Sequence, residues 1–266
     1  MRALAVHQDV IVVVSGAWQT TCTAVRSGDE GFVIDSPVLP EELEALPALL
    51  DQARFPVSGL LATHGDWDHL LARLAFPESS LGVAETTAAR LKTELGAAQR
   101  RLREFDAEWY VDGRKPLGLG EFQALPVPGR ISIGSETVNE LELHPADGHT
   151  GDGAAYWVPW AAVLICGDYL SPVEIPMISH ENGGSLTAYR ETLFRLAPLV
   201  NRAATVIPGH GAPLTGPRAL ELLAEDLAYL DELAGGGEVT LPEGRRSATQ
   251  KQIHERNLAT ASTTRR

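Results

Sequence analysis

Cysteines, long apolar runs and basic residues are all scarce in this sequence. Two cysteines, Cys22 and Cys166, allow at most one disulfide, which excludes a disulfide framework as the basis of the fold. The apolar run near the N terminus, Val10–Val14, is too short for the core of a signal peptide or for a membrane span. We therefore expect a cytoplasmic protein with no membrane attachment.

The deficit of basic residues indicates which kinds of partner the protein can bind. Against 35 acidic residues there are 22 lysines and arginines, and the formal net charge of -13 repels a phosphate backbone. We therefore expect no nucleic-acid partner and a small-molecule substrate instead, with a homo-oligomer left open. With 266 residues, 44% of them hydrophobic, the chain is long enough to bury a sizeable core.

Strand patterns and amphipathic helix patterns follow one another along the chain, which predicts a layered α/β protein. Strands are predicted at Val10–Val14, Gly31–Asp35, Ser58–Thr63, Leu81–Ala84, about 137–144, Ala154–Val158, Ala162–Cys166 and Ala204–Ile207. Helices are predicted at 41–54, about 85–105, 186–200, 217–233 and about 248–257.

Two glycine-rich stretches divide this pattern. Residues 113–134 are predicted to form a loop-rich segment that borders the substrate. The run 235–237 marks a flexible break. We therefore expect one domain over residues 1–234, followed at 235–266 by a flexible, basic and solvated extension with a short helix.

Potential metal ligands lie where strand patterns end and glycine-containing loops begin. If these strand ends share one edge of a sandwich, the side chains converge there. In an extended loop, His64, Asp66 and Asp68 would line one face. His69 would point to the other side and could reach a second ion. The candidate ligands are His64, Asp66, Asp68, His69, His149, Asp168 and His210.

The segment THGDWDH at 63–69 resembles the H-x-H-x-D-H signature of the metallo-β-lactamase superfamily. The pieces GHT at 148–150, GD at 167–168 and PGHG at 208–211 follow in the family's order. The resemblance covers about residues 10–233 and implies an αββα sandwich, in which two mixed β-sheets face each other and helices flank them. It also implies two divalent metal ions, the first on His64, Asp66 and His149, the second on Asp68, His69 and His210, with Asp168 and a hydroxide as bridges.

Asp66 is the departure from the family pattern, which usually has histidine there. A carboxylate at this position is similar to the flavodiiron proteins. It adds a hard oxygen donor and makes the site less positive, which favours iron or manganese. Fold membership favours zinc, and we expect zinc with iron or manganese as the alternative. Asp66 could instead orient His64 or His69 without touching a metal.

The expected activity is that of a metallo-hydrolase. A metal-bridging hydroxide would cleave an ester, thioester, lactone or amide, with Asp68 and Asp168 as the catalytic residues that orient it or take its proton. Thioester hydrolysis of the glyoxalase II type is the leading subclass. The alternatives are a non-haem iron oxidoreductase, indicated by Asp66 although no cysteine cluster supplies electrons, and a non-catalytic ligand-binding member.

Other residues have simpler interpretations. Cys166 is predicted to be a buried small hydrophobe, and Trp67 a packing residue or a pocket wall. His144, His180 and His254 have no motif support, although a place for His180 in the substrate pocket stays open. We expect the pocket rim at about residues 105–135 and 170–190.

Overall fold

Two β-sheets packed face to face, with helices on both outer faces, form the architecture of this protein. The computed structural model describes residues 1–136, 138–236 and 239–264, with side chains as far as 261. This αββα arrangement confirms the predicted fold class. It places the ends of strands from both sheets along one edge.

The first sheet has seven strands whose spatial order is their order in the chain. Its first half, β1 to β4, is an antiparallel meander, whereas β4 to β7 pair in parallel. The parallel half therefore directs the carboxyl ends of its strands to one edge. The strands are β1 Arg2–His7, β2 Val10–Val14, β3 Thr21–Ser27, β4 Glu30–Asp35, β5 Gly59–Leu61, β6 Leu81–Ala84 and β7 Phe122–Leu125.

The second sheet has six strands in the order β13-β12-β11-β10-β9-β8. Its pairs are antiparallel except β11 with β12, which run in parallel and end at the same edge. A bridge between Thr20 and His210 joins the two sheets there. The strands are β8 Gly129–Ile133, β9 Asn139–Pro145, β10 Ala154–Val158, β11 Val163–Ile165, β12 Thr205–Ile207 and β13 Leu214–Thr215.

Apolar side chains form three layers of core. One lies between the facing sheets, one between the first sheet and its helices, and one between the second sheet and its helices. The helices are α1 Pro40–Gln52, α2 Ala72–Ala75, α3 Glu85–Thr93, α4 Ala97–Glu108, α5 Leu186–Val200, α6 Gly216–Gly235 and α7 Ala248–Thr264. None of the helices described within these ranges has the length and apolarity that crossing a membrane requires.

Several predicted elements need correction. The single helix expected at 85–105 is two helices, because Gly96 adopts a φ of 74° between them. The expected loop at 113–134 contains strands β7 and β8. The strand expected from about residue 137 begins at Asn139, and Thr137 itself lies outside the described residues.

The C-terminal segment is not the solvated extension that we expected. Arg245, Gln250 and Asn257 are at most 3% exposed, and Ile253 joins the core on the second sheet. Asn257 donates to the Pro176 carbonyl at 2.7 Å, which ties α7 to the segment after β11. Gly237, part of the predicted break, lies outside the described residues. The division into two units at residue 234 stays a prediction.

Candidate metal centre

The candidate ligands lie just beyond strand ends on both sheets. His64, Asp66, Asp68 and His69 follow β5, whose neighbours β4 and β6 run parallel to it. From the second sheet, His149 follows β9, Asp168 follows β11 and His210 follows β12. The structure therefore brings together all the ligands that the sequence predicted.

These side chains form three groups, within each of which the potential ligand atoms lie within 4.8 Å of one another. The groups are His64, Asp66 and His149; His64, His69 and Asp168; and Asp68, His69 and His210. The first and third groups have the membership that the family resemblance implied for two ions. Such a donor set suits divalent metals.

Asp168 lies between the first and third groups. Its Oδ2 is 3.3 Å from Nε2 of His149 and 3.7 Å from Nε2 of His64. Its Oδ1 is 3.2 Å from Nε2 of His69 and 3.4 Å from Nε2 of His210. Each carboxylate oxygen thus faces one pair of histidines, as a bridging ligand requires.

The loop after β5 is not extended over all of residues 64–69, and the prediction that it is was wrong. Trp67, Asp68 and His69 form a single 3-10 turn, so Asp68 does not share a face with His64 and Asp66. Oδ2 of Asp68 instead lies 3.6 Å from Nε2 of His69 and 3.5 Å from Nε2 of His210. Because of this turn, Asp66 belongs to the first group whereas Asp68 and His69 belong to the third.

His64, His149 and His210 present Nε2 to the cluster and have Nδ1 against a protein oxygen. Nδ1 of His149 lies 2.8 Å from the Met177 carbonyl, and Nδ1 of His210 lies 3.3 Å from Oγ1 of Thr20. In contrast, Nε2 of His64, of His69 and of His149 is buried with no hydrogen-bond partner within the described part of the chain. Buried polar atoms without partners are costly, and a metal ion would satisfy them.

Asp35 supports two of these histidines, and sequence reasoning missed it. Its Oδ2 lies 3.1 Å from Nδ1 of His69 and accepts a hydrogen bond from Oγ1 of Thr63 at 2.9 Å. Oγ1 of Thr63 in turn lies 3.1 Å from Nδ1 of His64. One buried carboxylate at the end of β4 therefore orients both rings. Its position as the last residue of a predicted strand was the available signal.

The charges of the cluster shift the pKa values of its members. Burial lowers the pKa of His149 and of His210, but the facing carboxylates outweigh it and raise them to about 9 and about 10. Burial, with the charge of His69, lowers the pKa of His64. Burial raises the pKa of Asp168, yet the surrounding histidines hold it well below its usual range. Asp168 is thus ionised and attracts cations.

Asp66 has two different environments at its two oxygens. Oδ2 faces the cluster, 3.6 Å from Nε2 of His149, whereas Oδ1 accepts a hydrogen bond from Nη2 of Arg90 at 2.6 Å. Arg90 also donates to Asp152, a buried residue. No sequence signal pointed to Arg90 or Asp152.

Glycine at position 209 is required by Asp168. A side chain on Gly209 would place its Cβ in collision with Oδ1 of Asp168 and with the backbone of Gly167. Gly209 therefore permits a close approach of backbone to Asp168 that a residue with a side chain would prevent.

A cavity of about 610 Å³ borders the cluster at Asp66. The segment 177–182 and residues of α7 form most of its wall, and the segment falls within the second half of the predicted rim, 170–190. His180 does line it, as one open reading allowed. The lining includes Asp66, Arg101, Met177, His180, Glu181, Asn182, Ile253, Arg256 and Asn257.

The remaining candidates are structural. Cys166 is 1% exposed, as predicted, and burial raises the pKa of its thiol. Trp67 is buried against Trp18 and Phe105 and is a packing residue. Nδ1 of His254 lies 3.0 Å from the Tyr229 hydroxyl, outside the cluster.

Comparison with known proteins gives a family model and a set of solved structures. The model described as the metallo-beta-lactamase superfamily matches residues 15–210, which include all the candidate ligands. The comparison with curated proteins finds no match.

Among solved structures, BLEG-1 B3 metallo-beta-lactamase is 22% identical over 80% of this chain and 96% of its own, with a TM-score of 0.60. TTHA1623, solved in a di-iron-bound form, is 21% identical over 79% of this chain and 97% of its own, with a TM-score of 0.61. The inverting sec-alkylsulfatase Pisa1 from Pseudomonas sp. is 15% identical over 88% of this chain and 42% of its own, with a TM-score of 0.65. At these identities the likeness shows a shared fold.

Proposed function

This chain belongs to the metallo-beta-lactamase superfamily, and from that membership and the geometry of the cluster we propose that it is a metal-dependent hydrolase of a small molecule. The observation that carries the proposal is the convergence of His64, His69 and His149, whose buried Nε2 atoms have no hydrogen-bond partner within the described ranges. Buried polar atoms without a partner also occur outside the cluster, as at Nε2 of His144, but these three converge with carboxylate oxygens within 4.8 Å, which is what a metal ion requires.

Two divalent ions, preferably zinc, fit this donor set. His64, Asp66 and His149 would hold the first, and Asp68, His69 and His210 the second, with Asp168 between them. When bound, such ions lower the pKa of water toward neutrality and polarise a carbonyl or related group.

The chain's own residues supply the rest of the chemistry. Asp168 fixes the spacing of the two groups, since each of its oxygens faces one pair of histidines. Asp68 and Asp168 are the carboxylates placed to orient water and to take its proton. Asp35 and Thr63 keep the rings of His64 and His69 in position.

The cavity at Asp66 is the proposed substrate site, and it supports cleavage of an ester, thioester, lactone or amide. Ile253 and Arg256 of α7 and Arg101 of α4 are among the residues that line it. An acyl compound with an apolar portion and an acidic group would suit this mixture of surfaces, because a guanidinium binds carboxylate or phosphate in a fork geometry.

Elemental analysis of protein purified without added metal, combined with a screen of acyl thioesters, lactones and β-lactams, tests the proposal. We expect two zinc ions per chain and turnover of at least one class, both lost in His149→Ala. His144→Ala is the matched control, since His144 lies outside the cluster and should change neither. Two bound ions with no hydrolysis of any class would argue against the reaction, and no bound metal would argue against the centre itself.

A di-iron oxidoreductase is the second candidate. Asp66 adds an oxygen donor that iron accepts readily, and TTHA1623, of similar fold, was solved with two irons. Iron in the purified protein, with oxygen consumption in the presence of a reductant, would favour this candidate over the hydrolase.

A further inference from the structure

We propose that Arg90 is a positioning residue that makes Asp66 a one-oxygen ligand, so that Asp66 and Arg90 together replace the histidine expected at position 66. The inference rests on the proposed metal centre. It explains how this chain tolerates a carboxylate at that position.

Arg90 joins two carboxylates below the cluster. Its Nη2 lies 2.6 Å from Oδ1 of Asp66, and its Nη1 lies 2.8 Å from Oδ1 of Asp152. The Arg90 side chain is only 8% exposed. Charge-assisted hydrogen bonds of this length, shielded from water, hold both partners firmly.

Asp152 prevents the guanidinium from moving. Its Oδ2 accepts hydrogen bonds from the backbone N–H of Gly65 at 2.9 Å and from Oγ1 of Thr87 at 2.7 Å. Thr87 and Arg90 lie one turn apart on α3 and therefore face the same side. Gly65 belongs to the loop that carries His64 and Asp66, so the network fixes that loop to α3.

The two carboxylate oxygens of Asp66 therefore have different partners. Oδ1 of Asp66 is engaged by Arg90 and, at 3.3 Å, by Nδ2 of Asn182, with Arg101 4.0 Å away. Oδ2 alone faces His64 at 3.8 Å and His149 at 3.6 Å. Asp66 can therefore give one oxygen to an ion without also giving the second.

The charges of Asp66 and Arg90 also link the two residues. Asp66 carries a negative charge that histidine would lack, and the Arg90 guanidinium, which also contacts Asp152 and Glu94, offsets part of it at 2.6 Å. A histidine at 66 would remove the nearest of these three carboxylates and would place its ring against the guanidinium. Residues 66 and 90 are thus coupled, and we expect exchange of either one alone to weaken metal binding.

The experiment is a double-mutant cycle on metal binding. Asp66→His, Arg90→Gln and the double variant are purified, and ions per chain and zinc affinity by chelator competition are measured for each. We expect Arg90→Gln to weaken one ion by roughly 10 to 100-fold, as losses of ligand-orienting groups do, and to leave the other unchanged. Asp66→His alone should also fall below two ions, whereas the double variant should recover both.

Arg100→Gln, on the exposed surface of α4, is the matched control and should bind as the parent chain does. Arg90→Lys keeps the positive charge but lacks the planar guanidinium that contacts Asp66 and Asp152 with separate nitrogens. We expect it to recover only part of the zinc affinity that Arg90→Gln loses, which separates positioning from a folding defect. Circular dichroism checks that each variant is folded.

Unchanged affinity for both ions in folded Arg90→Gln, or independent effects of the two substitutions, would overturn the proposal and leave the hydrolase intact. Two ions and a coupled cycle without hydrolysis would support the proposal while the hydrolase fails. A parent chain that binds no metal would overturn both.

Discussion

The buried ion pair between Arg245 and Asp226 should carry much of the attachment of the C-terminal segment. The Arg245 side chain and the Asp226 side chain are each 1% exposed, and Nη1 lies 2.5 Å from Oδ1. Nη1 also donates to the Glu174 carbonyl at 2.9 Å, and Nη2 lies 3.1 Å from Oε2 of Glu225. Arg245 therefore connects α6, the segment after β11 and the chain leading into α7.

Arg245→Met removes one partner and leaves the other buried. An uncompensated buried charge costs about 3 to 5 kcal/mol, a large share of the ~5 to 15 kcal/mol that stabilises an ordinary domain. Replacing both partners with apolar residues of similar volume is often close to neutral. Arg245→Met with Asp226→Leu should therefore recover most of the free energy of unfolding that Arg245→Met loses.

Urea denaturation followed by circular dichroism measures these differences from the midpoint and slope. Arg246→Met is the matched control, since Arg246 is exposed and its Nε donates to the Leu241 carbonyl at 3.1 Å. Metal content should not change in Arg245→Met, because all the proposed ligands precede residue 211. Equal small losses of stability in Arg245→Met and Arg246→Met would refute the reasoning.

Four other predictions concern the metal centre and the cavity. Asp168→Asn presents an amide nitrogen to one side of the bridge, so metal content should fall from two ions toward one in folded protein; elemental analysis showing two would contradict this. Since the pKa values of His149 and His210 are raised to about 9 and about 10, protons compete with metal, and chelator competition should show zinc affinity rising with pH up to that range. The same shifts mean that metal-free protein gains stability from these histidines below about pH 6.5 and loses it as pH rises through 9 to 10, which urea denaturation over pH 6 to 10 checks. Arg256→Gln should raise KM for acidic substrates several-fold with little change in kcat, whereas equal effects on neutral substrates would exclude a charge-recognition role.

The candidate ligands could be picked out from the sequence because metal chemistry restricts the residue types so strongly. They have to be histidine or carboxylate, they follow apolar strand patterns, and glycine accompanies them where backbone passes closely. Gly209 shows the reason, since any side chain there would collide with Asp168. Strands β6 and β10 and helix α5 were predicted with the bounds that the structure has, because their apolar patterns are long or sharply ended.

What the sequence could not reveal depends on contacts between distant residues. Arg90 and Asp152 are 62 positions apart and belong to no local pattern. Strand β3, Thr21–Ser27, mixes polar and apolar residues yet is mostly buried, because it lies between β2 and β4 and satisfies its backbone on both sides. Helix α7 resembles a solvated helix until its polar residues Gln250 and Asn257 are seen bonded to backbone groups after β11.

On the proposed function, metal binding and substrate choice have separate locations in this chain. The candidate ligands, with Asp35, Thr63, Arg90 and Asp152 behind them, lie within the part that the family model matches, residues 15–210. One wall of the adjoining cavity comes from α7, which lies beyond it. Because Asn257 bonds the Pro176 carbonyl, and Met177 bonds His149 through its own carbonyl, the two parts meet at one short segment. Substitutions on the cavity face of α7 should accordingly alter which substrate binds, while substitutions around Arg90 should alter which metal does.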